Sequence, residues 1–454
     1  MPFLGASMFH AVAVAVLNKR RFQTTLGNES RAPLEAPFGW IAVLPATLSF
    51  AVVTVVGYSG GGFFPRTWRL TTLALLAVLA AALIARERIT VGRREWVAVV
   101  ALAALTAWTA ASYYWSSLPS GSLFESERML LYVVALVTVL LGVAPASLPS
   151  ALIGAVAGAT AVSAYALGLY VFLSPPIPDV FQGWHLFEPF GYANSIGIYT
   201  VLAILLTVGL ALSARSWTGR AVALSPLLVF VPTLYYTSSR GAWVALPVGL
   251  VAILYFSRRI HTGVLLALLG TGLAAGFLIG SERGQSFTLL GELRPTYWRI
   301  AWDDVETNPL LGSGAGTFGD FLLHHPTTPY YAHDAHSLYL ETLAELGPLG
   351  LALLVIGLGV PLVALRGRQD PLVAAAAGTY VAFLVHAGVD WDWEFAAVGL
   401  MGLLCGAAVL VGARPEEAPE ISTRSRNVLL IAVLVLAVLV FARLELAGQL
   451  SLHP

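Results

Sequence analysis

The chain has 454 residues, 57% of them hydrophobic and 11% charged, with 25 basic and 25 acidic residues and a formal net charge of zero. That composition, with a mean hydropathy of +0.79, excludes an ordinary soluble enzyme. No basic face is present for nucleic acid, and the single cysteine, Cys405, excludes an internal disulfide.

Residues 1–37 read as a cytoplasmic N-terminal extension. The first apolar stretch, Phe9 to Leu17, precedes its basic cluster Lys19-Arg20-Arg21, the reverse of the order in a signal peptide. Beyond it, apolar runs recur at 39–57, 68–85, 95–112, 128–143, 149–173, 192–213, 219–236, 240–256, 262–280, 338–365, 371–389, 394–412 and 427–446. A hydrocarbon core of roughly 30 Å takes about 20 apolar residues as helix. The pattern therefore predicts an all-α membrane protein, a bundle of 12–13 transmembrane helices with one large extracytoplasmic loop. The organisation that follows is transmembrane helices 1–9 over 38–280, the loop over 281–337, helices 10–13 over 338–446 and a tail over 447–454. No internal repeat of the transporter type is evident.

Basic residues fix the expected orientation. With the N-terminus in the cytoplasm, seventeen of the 25 fall on the inner side and eight on the outer side, namely Arg66, Arg69, Arg128, Arg240, Arg283, Arg294, Arg299 and Arg443. Arg240, Arg294 and Arg299 defy the rule beside polar loops, as they would if something outside required positive charge. Two outer segments, 174–191 and 281–337, are rich in functional residue types, and loops this long in a compact bundle are usually functional. Pro295–Glu306 has helical character, with Trp298 and Trp302 four residues apart on one face, and suits the membrane surface.

Candidate chemistry gathers at the outer helix ends. His333-Asp334-Ala335-His336-Ser337 enters a long apolar helix. A helix running from His336 to Leu365 would span about 45 Å, more than the membrane. It must therefore protrude or break near Gly347-Pro348, and either places His336 at the interface. A neutral imidazole there can take a proton from an acceptor hydroxyl; the plainer reading is a histidine capping a helix. In Thr237-Ser238-Ser239-Arg240-Gly241, Arg240 follows a tight turn. Its guanidinium suits bidentate phosphate binding, against the plainer reading of a snorkelling interfacial arginine. The glycines of Asn308-Pro309-Leu310-Leu311-Gly312-Ser313-Gly314-Ala315-Gly316 lack the lysine of a phosphate loop, so nucleotide binding is rejected. His324, His325, His333, Asp334 and His336 match no compact zinc spacing, and neither a metal nor a cofactor is expected. Tyr192 and Asn194 open another outer helix end. Asp390, Asp392 and Glu394, interleaved with Trp391 and Trp393, suit sugar hydroxyls and sugar faces, or pairing with the outer arginines.

Taken in order, these residues resemble the O-antigen ligase and O-antigen polymerase superfamily of bacterial multipass membrane glycosyltransferases. Its ligase-type signature is His, then Asn, Ser or Gln, nine residues, Gly, two residues, Gly. His336-Ser337, Gly347 and Gly350 fit it. The preceding Arg294, Trp298 and Asn308–Phe318 look like the same family's loop, and Ser239-Arg240-Gly241 and Gly191-Tyr192-Ala193-Asn194 match its upstream motifs. The resemblance covers roughly 190–400. It implies a GT-C-like bundle in the bacterial cytoplasmic (inner) membrane with its active site on the extracytoplasmic side. The donor would be a glycan on undecaprenyl pyrophosphate and the acceptor a lipid, glycan or protein; transfer would be metal-independent and inverting. Carried over by residue, His336 would deprotonate or orient the acceptor, and Arg240 and Arg294 would bind the leaving pyrophosphate. Arg299, Tyr192, Asn194, His333, Asp334, Asp390 and Asp392 are the expected substrate-binding residues. Alternatives are a polymerase of lipid-linked repeat units and, in a different class, a polyprenyl-glycan transporter or flippase. The helix at 427–446 departs from a twelve-helix pattern.

Overall fold

The computed structural model describes residues 40–173, 179, 181–258, 270, 272, 293–324, 331–365 and 369–450. The extension at 1–37, the start of the loop at 281–292 and nearly all of the expected span 262–280 lie outside the described residues.

Among the described residues no strand forms, and the chain is a bundle of α-helices. They are α1 (Trp40–Tyr58), α2 (Pro65–Ala85), α3 (Arg93–Ala111), α4 (Pro119–Gly142), α5 (Leu148–Leu173), α6 (Ala193–Ser213), α7 (Trp217–Leu224), α8 (Leu227–Thr237), α9 (Arg240–Phe256), α10 (Arg294–Thr307), α11 (Phe318–Leu323), α12 (Leu338–Ala364), α13 (Pro371–Ala387), α14 (Ala396–Gly412) and α15 (Thr423–Leu450). Seven helical stretches among the described residues are long and apolar enough to cross a membrane, and four shorter apolar helices accompany them. This is an all-α multipass membrane protein.

Burial follows composition. In lipid there is little hydrophobic drive between helices, so association depends on close van der Waals packing through small side chains. α14 alternates Gly and Ala with larger apolar residues and is buried from Ala396 through Val411. α6 is nearly as enclosed, packed by α8, α9 and α13. α1 pairs with α5, and α12 packs along α3. α15 lies at the periphery against α2, with Ile431, Leu434, Val435 and Val438 exposed on its surface.

Two helices differ instructively from the hydropathy pattern. α4 begins at Pro119 rather than near 128. Its first turns carry Ser122, Glu125 and Glu127, which read as loop on an apolar scale, but they are helical, with Ser122 and the following Arg128 buried. Proline at the first helical position is pre-set for a start there. α12 meets the excess-length problem by breaking: Gly347 adopts φ 66°, ψ −173° inside the helical run. A side chain at Gly347 would also strike the backbone of Leu310 at 2.4 Å, so the loop presses on the break.

Candidate functional site at one end of the bundle

The beginnings of α4, α6, α9, α10, α12 and α14 meet at the same end, and the polar residues concentrate there. Asp390, in the connection between α13 and α14, is the hub and is 1% exposed. Its Oδ2 accepts from Arg294 at 2.6 Å and from the Asn194 amide at 2.7 Å. Its Oδ1 accepts from the Tyr192 hydroxyl and the Trp391 N–H, each at 2.9 Å. Asn194 also donates to the Tyr192 hydroxyl at 2.8 Å. Four donors from three separate segments thus converge on one carboxylate, and charge-assisted bonds of this kind are strong and directional. Burial alone would push the Asp390 carboxyl up. The Arg294 charge, with His336 and His386 nearby and the Trp391 N–H, outweighs it and holds the group below the usual range, so it is ionised. Burial likewise opposes the Arg294 charge, but Asp390 and Tyr192 more than offset it.

Arg240 heads α9 and is an electrostatic neighbour of Arg294. Its position is set locally. Ser238 takes a left-handed turn with φ 52°, and the Ser239 hydroxyl caps α9 by accepting from the Ala242 N–H at 3.3 Å. Gly241 allows that helix start to settle on His386, whose Nε2 would lie 2.8 Å from any Cβ at 241. Two guanidiniums held close together form a natural clamp for a phosphate-bearing anion.

His336 stands beside this cluster in a strained, left-handed conformation with φ 56°. Its Nδ1 lies 3.0 Å from the Asp334 carbonyl oxygen. A carbonyl can only accept, so Nδ1 donates there, and in the neutral ring Nε2 is the nitrogen that holds the lone pair. The ring lies 5.3 Å from that of Tyr297 and 6.1 Å from that of Trp391, and Trp391 in turn lies 4.9 Å from Tyr192. Aromatic faces therefore separate the base from the carboxylate hub and offer apolar surface to a sugar.

Residues 225–355 match the family model described as O-antigen ligase. That match supports the resemblance of the chain to the O-antigen ligase and polymerase superfamily. The matched segment holds Arg240, Arg294 and His336 together, and it supports a membrane glycosyltransferase of the ligase or polymerase type. The curated proteins contain no match to it.

The structure sorts the expected site residues. Tyr192, Asn194, Arg240, Arg294, His336 and Asp390 come together. Arg299 lies apart, exposed on α10 with no ion pair among the described residues. Asp392, expected to touch substrate, is fully buried and bonded to His386 Nδ1 at 2.9 Å, so it stands behind the mouth. His333 is exposed and pairs with Asp334 at 3.3 Å. That hydrogen bond, aided by the Asp334 charge and working against burial, raises the imidazole pKa to about 9. His324 is exposed with Nδ1 on the Asp320 carbonyl at 2.8 Å, and His325 lies outside the described residues.

Beneath the mouth is a second polar layer that hydropathy and motif did not reveal. Arg128 of α4 makes ion pairs with Glu125 and Glu394. Carboxylate oxygens of Asp334, Glu341 and Glu394 lie within 4.8 Å of one another. An all-oxygen set of this kind is of the type that holds a hard cation, but Arg128 already supplies positive charge to it. Glu341 accepts from the Ala335 N–H at 2.6 Å, one residue before His336. Glu345, one turn on, accepts from the Gly316 and Phe318 N–H groups, each at 2.9 Å. The first turns of α12 thus pin both the His336 loop and the glycine-rich loop. Arg128 was legible as another arginine on the wrong side of the charge bias, and the four-residue spacing of Glu341 and Glu345 in an apolar helix was the other signal.

Proposed function

We propose that the chain is a ligase-like glycosyltransferase that moves a glycan from an undecaprenyl-pyrophosphate donor to an acceptor hydroxyl on the extracytoplasmic side of the inner membrane. The observation that carries this reading is the convergence of Arg240, Arg294 and His336, whose Nδ1 is engaged by the Asp334 carbonyl, at one end of the bundle. His336 Nε2 takes the acceptor proton as the acceptor oxygen bonds to the anomeric carbon. The bond from that carbon to the pyrophosphate oxygen breaks, and the electron pair leaves with the diphosphate. Arg240 and Arg294 stabilise the charge that develops there, where fixed cations act without reorganisation. Attack opposite the leaving group inverts the anomeric centre. Asp390, Tyr192 and Asn194 aim Arg294, and Trp391 and Tyr297 offer faces to the sugar. The arginines take the part that a metal would otherwise play, so activity should survive EDTA.

A carrier of lipid-linked glycan would need polar groups along a path to the opposite end. Instead α6 and α14, the most enclosed helices, carry no charged residue, and this supports an enzyme. The deciding test is transfer by purified protein from an undecaprenyl-pyrophosphate oligosaccharide, comparing the unaltered chain with His336→Ala. A new glycoconjugate from the former alone supports the reading, and product size separates single transfer from polymerisation. If both are inert across several acceptors while lipid-linked glycan crosses vesicle membranes, the enzyme reading fails.

A further inference from the structure

α15 packs against α2 and has no comparable packing with α3 or α4, so a groove opens between them. The groove encloses about 360 Å³, within the range of about 300–1,000 Å³ that holds small-molecule ligands. Its walls are apolar, with Ala103 and Ala107 of α3 exposed on one side and Leu436 and Leu439 of α15 on the other. Its head is charged. Arg69 lies over the Trp68 ring at 4.9 Å and donates twice to Glu127 Oε2, at 2.9 Å and 2.6 Å, while Arg443 donates to Glu127 Oε1.

Two guanidiniums therefore share one carboxylate, leaving an excess positive charge at the mouth of an apolar trough. Among the described residues, the remaining amino groups, one on Arg69 and two on Arg443, have no hydrogen-bond partner. Charge of this kind is costly at membrane depth unless something answers it. Arg69 and Arg443 are two of the arginines that break the charge bias of the sequence. Glu127 and Arg128 are consecutive on a helix of 3.6 residues per turn, so they face different sides of α4. Arg128 serves the layer beneath His336, and Glu127 serves the groove.

We propose that this groove binds one anionic phospholipid, its phosphodiester held by Arg69 and Arg443 and one acyl chain lying along the trough between α15 and α3. The match is specific in charge: a phosphodiester carries the single negative charge that neutralises the head. A zwitterionic lipid brings an ammonium to two arginines, and free phosphate leaves the trough unfilled. The lipid would supply the packing that α15 lacks against α3 and α4.

The test uses the full-length chain, purified in detergent and stripped of lipid, with phosphatidylglycerol, phosphatidylethanolamine or inorganic phosphate added. Bound lipid is counted by native mass spectrometry and Tm is read from tryptophan fluorescence. We expect one phosphatidylglycerol per chain, bound at least about tenfold more tightly than phosphatidylethanolamine, as loss of charged hydrogen bonds dictates. Arg443→Gln, at a half-exposed site, should weaken phosphatidylglycerol by about tenfold. Ala107→Phe should fill the trough and block binding without touching either arginine. Equal binding of the two lipids, with both variants binding like the unaltered chain, would overturn the proposal. So would inorganic phosphate raising Tm as much as phosphatidylglycerol does. If Ala107→Phe does not fold, the lipid preference and Arg443→Gln still decide the matter.

Discussion

Two polar layers stacked at one end of this bundle use the same chemistry for different ends. In the upper layer Arg294, Asp390, Tyr192 and Asn194 form one hydrogen-bonded network, and the Trp391 ring lies between it and His336. In the lower layer Arg128 is enclosed by Glu125 and Glu394, and Glu341 and Glu345 spend their oxygens on loop N–H groups. On the proposed function, the upper layer meets an anion and a sugar. The lower layer holds the backbone that presents His336 in a conformation it would not adopt unaided. Arginine–carboxylate pairs in a membrane protein therefore do not mark a site by themselves. What the remaining lone pairs and N–H groups do separates the one that acts from the one that supports.

Substitutions should divide along that line. The largest effect should come from His336→Ala, which removes the base and should lower transfer by about 10²–10⁴-fold while leaving the melting temperature close to that of the unaltered chain; a variant that melts early would move His336 into the supporting layer. Next, Arg128→Met leaves Glu125 and Glu394 buried without their partner and should cost about 3–5 kcal/mol of stability, read as loss of folded protein on extraction; a well-folded variant would show that the lower layer is not structural. Arg294→Lys keeps the charge but loses the planar fork, and should lower transfer by about tenfold or more with little loss of fold. Arg240→Lys should behave alike, and full activity in either would remove that arginine from pyrophosphate binding. Glu341→Gln keeps the shape but weakens the acceptor for Ala335, so about 1–2 kcal/mol of stability and part of the activity should go together.

The smallest effect concerns His333. Its pKa is raised to about 9 from an ordinary value near about 6.5. The stabilisation from the His333–Asp334 pair is therefore complete below about pH 6.5 and is lost as pH rises through about 9. The Tm difference between the unaltered chain and His333→Gln should close over that window. Because His333 is exposed, the difference should be small, and a constant gap to pH 10 would assign it to packing rather than charge.

Much of this was legible in the sequence. Hydropathy alone predicts the multipass helical bundle, because each run must satisfy its own backbone in lipid and only a helix does so. Excess length and Gly347-Pro348 announced the break in α12, and polar residues at helix ends announced Arg240, Arg294 and His336. Boundaries were less legible where polar residues lie inside a helix: the start of α4 was hidden because Ser122, Glu125 and Glu127 look like loop until their partners are known. His386 was missed because it sits in an otherwise apolar helix, although its partner Asp392 follows closely in sequence.

The sequence by itself determined which segments are helical and which residue types gather at one end, since period, length and charge bias are local properties of the chain. Only the tertiary structure decided who meets whom. Arg294 finds Asp390 across 96 residues. The alternating acids between α13 and α14 divide three ways, Asp390 to Arg294, Asp392 to His386 and Glu394 to Arg128. That division depends on where separate helices end relative to one another. Packing in three dimensions sets it, and no spacing along the chain encodes it.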